Sequence, residues 1–364
     1  MSNGSPNSFI DTLYKNKLEQ ARKLLDVFDD SERQRRRERL AQIVRIPSSR
    51  IRSQPSKESE FGLPSSSQIN RIDCGDYVRE QIEIETRDGL RMPTYVLLPK
   101  TSTADNPVPA VLALHGHGYG SRELVGLTPE GQVEPEGTGI HKHFALSLVK
   151  RGLAVIVPEL LGFGDRRLIE DSQLDKSPKD KGNSSCYKLS SYLIHLGETL
   201  AGVRTLETLI ATDYALARPE IRSGSIGVMG LSGGAFVAYL AGALDERITA
   251  VVLSGYSNTY EDSYFFSRQH CLCDYIPGIV ELGDMPDLIG LIAPRSLYLE
   301  VGRKDYLFPV EGAIKASEGL ERYYEKLGAK ERFVVDVFEG GHEISGIHSF
   351  DWLYKELTRN ESPC

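Results

Sequence analysis

The chain has 364 residues, 40% of them hydrophobic and 26% charged, with a formal net charge of −8 and a pI near 5.6. This length and apolar content suffice for a large core in one elaborate α/β domain or two smaller ones. The acidic balance argues against nucleic acid or an anionic membrane as partner, and no apolar run reaches the roughly 18 residues a membrane-spanning helix needs.

The N-terminal stretch MSNGSPNSFIDTLYKNKLEQ lacks a basic region leading into an apolar run and a small-residue cleavage site, so a cytoplasmic protein is expected. Residues 8–45 read as one or two amphipathic helices, because Phe9, Leu13, Leu18, Ala21, Leu24, Leu25 and Phe28 recur at helical spacing. Within SERQRRRERLAQIV, Arg33, Arg35, Arg36, Arg37 and Arg39 alternate with acidic residues and predict a solvated helix face. These helices supply either a homo-oligomer interface or a cap on their own core. Residues 47–72, rich in Ser, Pro and Arg, read as a connector, which divides the chain into 1–72 and a main domain over 73–364.

YVREQIEIET and LRMPTYVLLP, joined at Asp88-Gly89, predict an antiparallel hairpin. Short, almost wholly apolar runs follow at 109–116, 153–159, 225–230, 248–255, 295–302 and 332–339. Unbroken apolarity marks strands covered on both faces. Helical stretches at 140–151, 195–218, 234–244, 311–328 and 347–358 lie between or after them. The alternation predicts a doubly wound, mostly parallel α/β sheet with an antiparallel start, whose sites gather at the carboxyl ends of the strands.

Gly230-Leu231-Ser232-Gly233-Gly234 ends one such strand and opens an apolar helix. A G-x-S-x-G match arises by chance roughly 0.3 times in a chain of this composition, so its weight comes from the strand-turn-helix setting, which a nucleophile elbow requires. An N-cap serine is the simpler alternative. A serine nucleophile needs a base and a group that orients it. Asp305 follows the strand SLYLEVG and His342 follows RFVVDVFE, at spacings of 73 and 37 residues, so all three fall at one sheet edge. Glu300 and Glu339 compete with Asp305, and His348 with His342. Donors for a developing oxyanion are expected from the Gly233 amide and from the loop LHGHGYG, at His117 with Gly118 in reserve. A phosphate loop and a metal set from His115, His117, His141 and His143 are weaker readings of the same residues.

Cys74, Cys186, Cys271, Cys273 and Cys364 are odd in number and scattered, which implies free thiols. His270-Cys271-Leu272-Cys273 has no second ligand pair at zinc-finger spacing, so neither metal nor cofactor is expected.

LHGHGYG, LLGFGDRR, GVMGLSGGA, VGRKDYLFP and EGGHE, in that order, resemble the α/β-hydrolase superfamily, in the branch related to dienelactone hydrolases and acetyl xylan esterases. The resemblance covers about residues 75–358. It implies Ser232 as nucleophile, His342 as base, Asp305 as its orienting acid, and the His117 and Gly233 amides as oxyanion hole. Dienelactone hydrolases proper carry cysteine at the nucleophile position, and serine here argues against dienelactone as substrate. Two long insertions, 160–196 and 256–288, should roof the pocket, with Tyr119, Tyr256, Tyr260 and His270 as candidate lining beside Tyr264, Phe265 and Phe266. Their polar and aromatic character favours a small, short-acyl or carbohydrate-like ester over a lipid. A serine peptidase or aminopeptidase, a thioesterase and a non-hydrolytic binding protein remain open alternatives.

Overall fold

The computed structural model describes residues 4–25, 29–51, 64–265 and 267–359; Phe28 and Phe266 lie outside them. Among the described residues, nine strands form one sheet: β1 (Ser66–Asp73), β2 (Tyr77–Glu85), β3 (Arg91–Pro99), β4 (Val108–Leu114), β5 (Ala154–Pro158), β6 (Ile221–Leu231), β7 (Ile248–Ser254), β8 (Ser296–Gly302) and β9 (Phe333–Phe338). Their spatial order is β1-β2-β3-β5-β4-β6-β7-β8-β9. β1 to β3 run antiparallel, β3 meets β5 antiparallel, and the rest pair in parallel. β4 lies between β5 on one side and β6 on the other, which makes its carboxyl end the switch point where a crevice opens.

The apolar runs form β4 to β9: the first five lie in the middle of the sheet as the doubly wound reading requires, while β9 lies at its edge with half-buried side chains. Every residue of β4, β5 and β8 is buried, because helices cover both faces. One face packs under the helices Leu200–Leu216 and Gly233–Leu244, the other under Phe144–Val149 and Ser349–Thr358. Among the described residues, no helix is long and apolar enough to cross a membrane.

Two local readings are corrected. The span read as a connector ends in β1, an edge strand whose side chains are all exposed, so it carries no apolar alternation. The solvated face is the second correction. The N-terminal helices α1 (Pro6–Leu25) and α2 (Asp30–Ile43) pack on the body through Tyr14, Leu18, Leu40 and Val44, and Arg33, Arg36 and Arg37 of α2 are buried beneath it. Their guanidiniums donate to backbone carbonyls: Arg33 to Ala293, Arg36 to Asp287 at 2.8 Å, and Arg37 to Ala243 at 3.2 Å and Leu291 at 3.1 Å. Ala243 is in the last turn of the helix Gly233–Leu244, whose terminal carbonyls have no intrahelical donor. The carbonyls that accept from these buried arginines lie far away in the chain, which no local charge pattern displays.

Candidate active site

β6 runs straight into the helix Gly233–Leu244, and Ser232 stands at the junction with φ 56° and ψ −122°. Positive φ is strained for a residue with a side chain. The turn is held by a hydrogen bond from the Ser232 amide to the Ser254 carbonyl and one from the Phe236 amide to the Ser232 carbonyl, each 2.9 Å. The flanking glycines are sterically required. A Cβ on Gly230 would stand 2.4 Å from the Gly234 backbone, and one on Gly234 would stand 2.2 Å from the Leu114 carbonyl oxygen. The Ser232 side chain makes no capping hydrogen bond, which leaves the hydroxyl available for other work.

The structure brings Asp305 and His342 together after β8 and β9. His342 Nδ1 lies 2.8 Å from Asp305 Oδ2. The other carboxylate oxygen, Oδ1, accepts from the amides of Leu307 and Phe308 at 2.8 and 3.0 Å, so the side chain is fixed at both ends. A carboxylate can only accept, which puts the proton on Nδ1 and leaves Nε2 with its lone pair. Gly255, at the end of β7, fits the gap between this pair and the Ser232 turn; a Cβ there would meet His342 at 3.0 Å and Asp305 at 3.3 Å.

The competing residues are engaged elsewhere. Glu300 is buried and accepts from the amides of Ser345 and Gly346 at 3.1 and 2.8 Å and from the hydroxyls of Ser254 and Ser349. It braces the loop that follows His342. Glu339 pairs with Arg303 at the surface, and His348 is exposed at the start of the helix Ser349–Thr358.

The loop after β4 approaches the serine from the other side. A Cβ on Gly116 would lie 3.1 Å from Ser232 Cβ. The Gly116 amide donates to His141 Nε2 at 2.8 Å, and the Gly116 carbonyl accepts from His115 Nδ1 at 2.9 Å. In a trans peptide the next N–H points opposite to the carbonyl, so the His117 amide is directed away from His115. The Gly233 amide is the first of its helix and has no intrahelical acceptor. Burial pushes the fully buried His141 imidazole below its ordinary value and keeps it neutral, as accepting at Nε2 demands; its Nδ1 faces Glu123 Oε1 at 2.9 Å. His115 lies against Glu159 and His143 against Glu134. His115, His141 and His143 each face a different carboxylate, so the four histidines do not converge as a metal set.

Of the candidate lining residues, Tyr119 is half-buried and donates to Glu134 at 3.1 Å. Tyr256 and Tyr260 are buried; the Tyr256 hydroxyl meets that of Tyr264 at 3.1 Å. His270 stacks on Tyr264 and tilts against Phe308, which in turn stacks on His342. Burial pushes the His270 imidazole down and favours its neutral form. An apolar cavity of about 370 Å³ lies between Tyr260, Tyr264 and Phe265 and the α1 residues Ile10, Leu13 and Tyr14. Asp274 borders both this cavity and the start of the helix at Gly233. A second cavity of about 380 Å³, lined by Tyr119, Arg122, Asp165, Arg167, Asp175 and Lys181, is polar and lies under the first insertion. Sequence reasoning missed Asp274, whose carboxylate comes beside Gly233 only through tertiary packing.

A model of the Abhydrolase family matches residues 13–328. The chain belongs to this family. Its Abhydrolase match spans the Ser232 turn and Asp305 and stops short of β9 and His342. YtaP of Bacillus subtilis (strain 168), assigned as a hydrolase, is 28% identical over 262 residues, which is 69% of this chain and 78% of YtaP. A structure from Bacteroides fragilis NCTC 9343, assigned as an acetyl xylan esterase, superposes with a TM-score of 0.67 at 19% identity, over 85% of this chain and 74% of that one. The methylesterase BT1017 superposes with a TM-score of 0.63 at 18% identity, over 95% and 68%. At such identities the structures show the fold, and this Abhydrolase member has the α/β-hydrolase fold with N-terminal helices added.

Proposed function

We propose that the protein is a serine carboxylesterase acting on small, short-acyl or carbohydrate-like esters through Ser232, His342 and Asp305. The observation that carries the reading is the His342–Asp305 hydrogen bond of 2.8 Å, formed on the same sheet edge as a serine held at positive φ. In the first step His342 Nε2 takes the Ser232 proton as Oγ attacks the ester carbonyl. The amides of Gly233 and His117 hold the oxyanion. His342 then protonates the departing alcohol, and water repeats the sequence on the acyl-enzyme. Asp305 keeps the imidazole in the required tautomer and stabilises its cation.

Polar and aromatic side chains of the second insertion support the substrate class: His270 stacks on Tyr264 and tilts against Phe308, which itself stacks on His342. Relatives of this fold assigned as acetyl xylan esterase and methylesterase support the same class.

The test is hydrolysis of p-nitrophenyl esters from acetate to decanoate by wild type and Ser232→Ala. Activity should be confined to short acyl groups and fall by about 10³-fold or more in kcat in the variant. A Ser232→Ala protein that keeps near-wild-type turnover overturns the assignment. Fluorophosphonate labelling at Ser232 without ester turnover would instead point to a peptidase, tested with aminoacyl anilides, or a thioesterase, whereas no labelling would identify a binding protein.

A further inference from the structure

Three of the five thiols read from sequence as free and scattered do not remain apart. Cys186 lies at the start of the helix Cys186–His195 in the first insertion, Cys271 and Cys273 lie in the second, and His117 is in the loop after β4. One ligand atom from each converges so that all four lie within 4.8 Å of one another. Ligands at tetrahedral zinc, with Zn–S near 2.3 Å, stand about 3.8 Å apart. The cluster is therefore within a small side-chain adjustment of that geometry, and His117 Nε2 is already 3.8 Å from Cys273 Sγ.

We infer that His117, Cys186, Cys271 and Cys273 form a structural zinc site that fastens both insertions to the loop carrying the His117 amide. Three sulfurs and one imidazole match a closed Cys3His set, and soft thiolates select zinc over magnesium or calcium. Each thiol gives up its proton as the metal binds, so three protons leave for one divalent ion and the filled site carries one negative charge. A counter-charge is built in. The buried Arg204 guanidinium lies 3.1 Å from Cys186 Sγ and is held by the Leu161 carbonyl and the face of Phe163. Second-shell partners of this kind orient ligands and tune the site. With Nε2 on the metal, the proton of His117 resides on Nδ1, the nitrogen that faces Gly233. The four ligands come from three segments separated by tens of residues, which explains why no spacing motif announces them.

The experiment uses the full chain, purified under reducing conditions without chelator, and reads metal content by mass spectrometry. Roughly one zinc per chain is expected. Cobalt in its place should give thiolate charge-transfer absorption and the visible bands of tetrahedral coordination. Cys273→Ser and Cys186→Ser should lose the metal, whereas Cys74→Ser should retain it. If the serine variants do not fold, wild type still decides: zinc must protect three thiols from alkylation, and chelation must release them. No zinc or cobalt uptake, thiols equally reactive with and without zinc, or a disulfide within the cluster in the reduced protein overturns the site. These readouts do not involve ester turnover, so the metal site and the esterase reading stand or fall separately.

Discussion

At the scale of single residues, the proposed site assigns one task to each polar group. Asp305 satisfies two amides with one oxygen and His342 with the other, so Asp305→Asn preserves the turn but presents the wrong hydrogen-bonding partner to the imidazole. Its kcat should fall by about 10³–10⁴-fold, with a melting temperature close to wild type. Glu300→Gln should show the opposite balance. It loosens the 345–349 brace, lowering stability by about 1–3 kcal/mol in denaturant titration, with a smaller effect on kcat than Asp305→Asn. His141 gives a pH dependence of defined sign. Its folded value is depressed from 6.5, so the unfolded chain takes up a proton there that the folded chain refuses. This contribution to stability is complete above about pH 6.5 and is lost as pH falls below it. His141→Gln should flatten that limb of a melting-temperature profile; an unchanged slope would remove His141 as its source.

At the scale of elements, what the sequence displays depends on how far away the covering partner is. The strands β4 to β8 were readable because burial on both faces leaves an unbroken apolar record, and the order of Ser232, Asp305 and His342 followed from strand ends alone. β1 was not readable, since SSQINRID has no buried face to record. The arginines of α2 were misread for the same reason in reverse: their acceptors, Ala243 and Leu291, are two hundred residues and more distant in the chain. Arg37→Ala should destabilise the protein by about 2–4 kcal/mol, by leaving those carbonyls and the Glu246 carboxylate without their donor. Arg39→Ala, on the exposed side, should stay within about 0.5 kcal/mol. Equal effects of the two in urea titrations would return α2 to the status of a surface helix. The cysteine cluster belongs with these hidden features, since its ligands meet only after both insertions fold over the sheet.

Across the whole molecule, the proposed nucleophile and its base sit on strands of unequal security. Ser232 follows β6, deep in the sheet, whereas His342 follows β9, which has a single neighbour among the described strands and only half-buried side chains. Edge elements open locally at a lower free energy than the global transition. Heating should therefore separate base from nucleophile while the rest of the sheet is intact. Catalytic inactivation would precede loss of the circular dichroism signal, and it would reverse on cooling from the interval between the two. In this sense the strand that precedes the proposed base acts as a fuse: it lets go before the central strands, and hydrolysis stops while they are still intact.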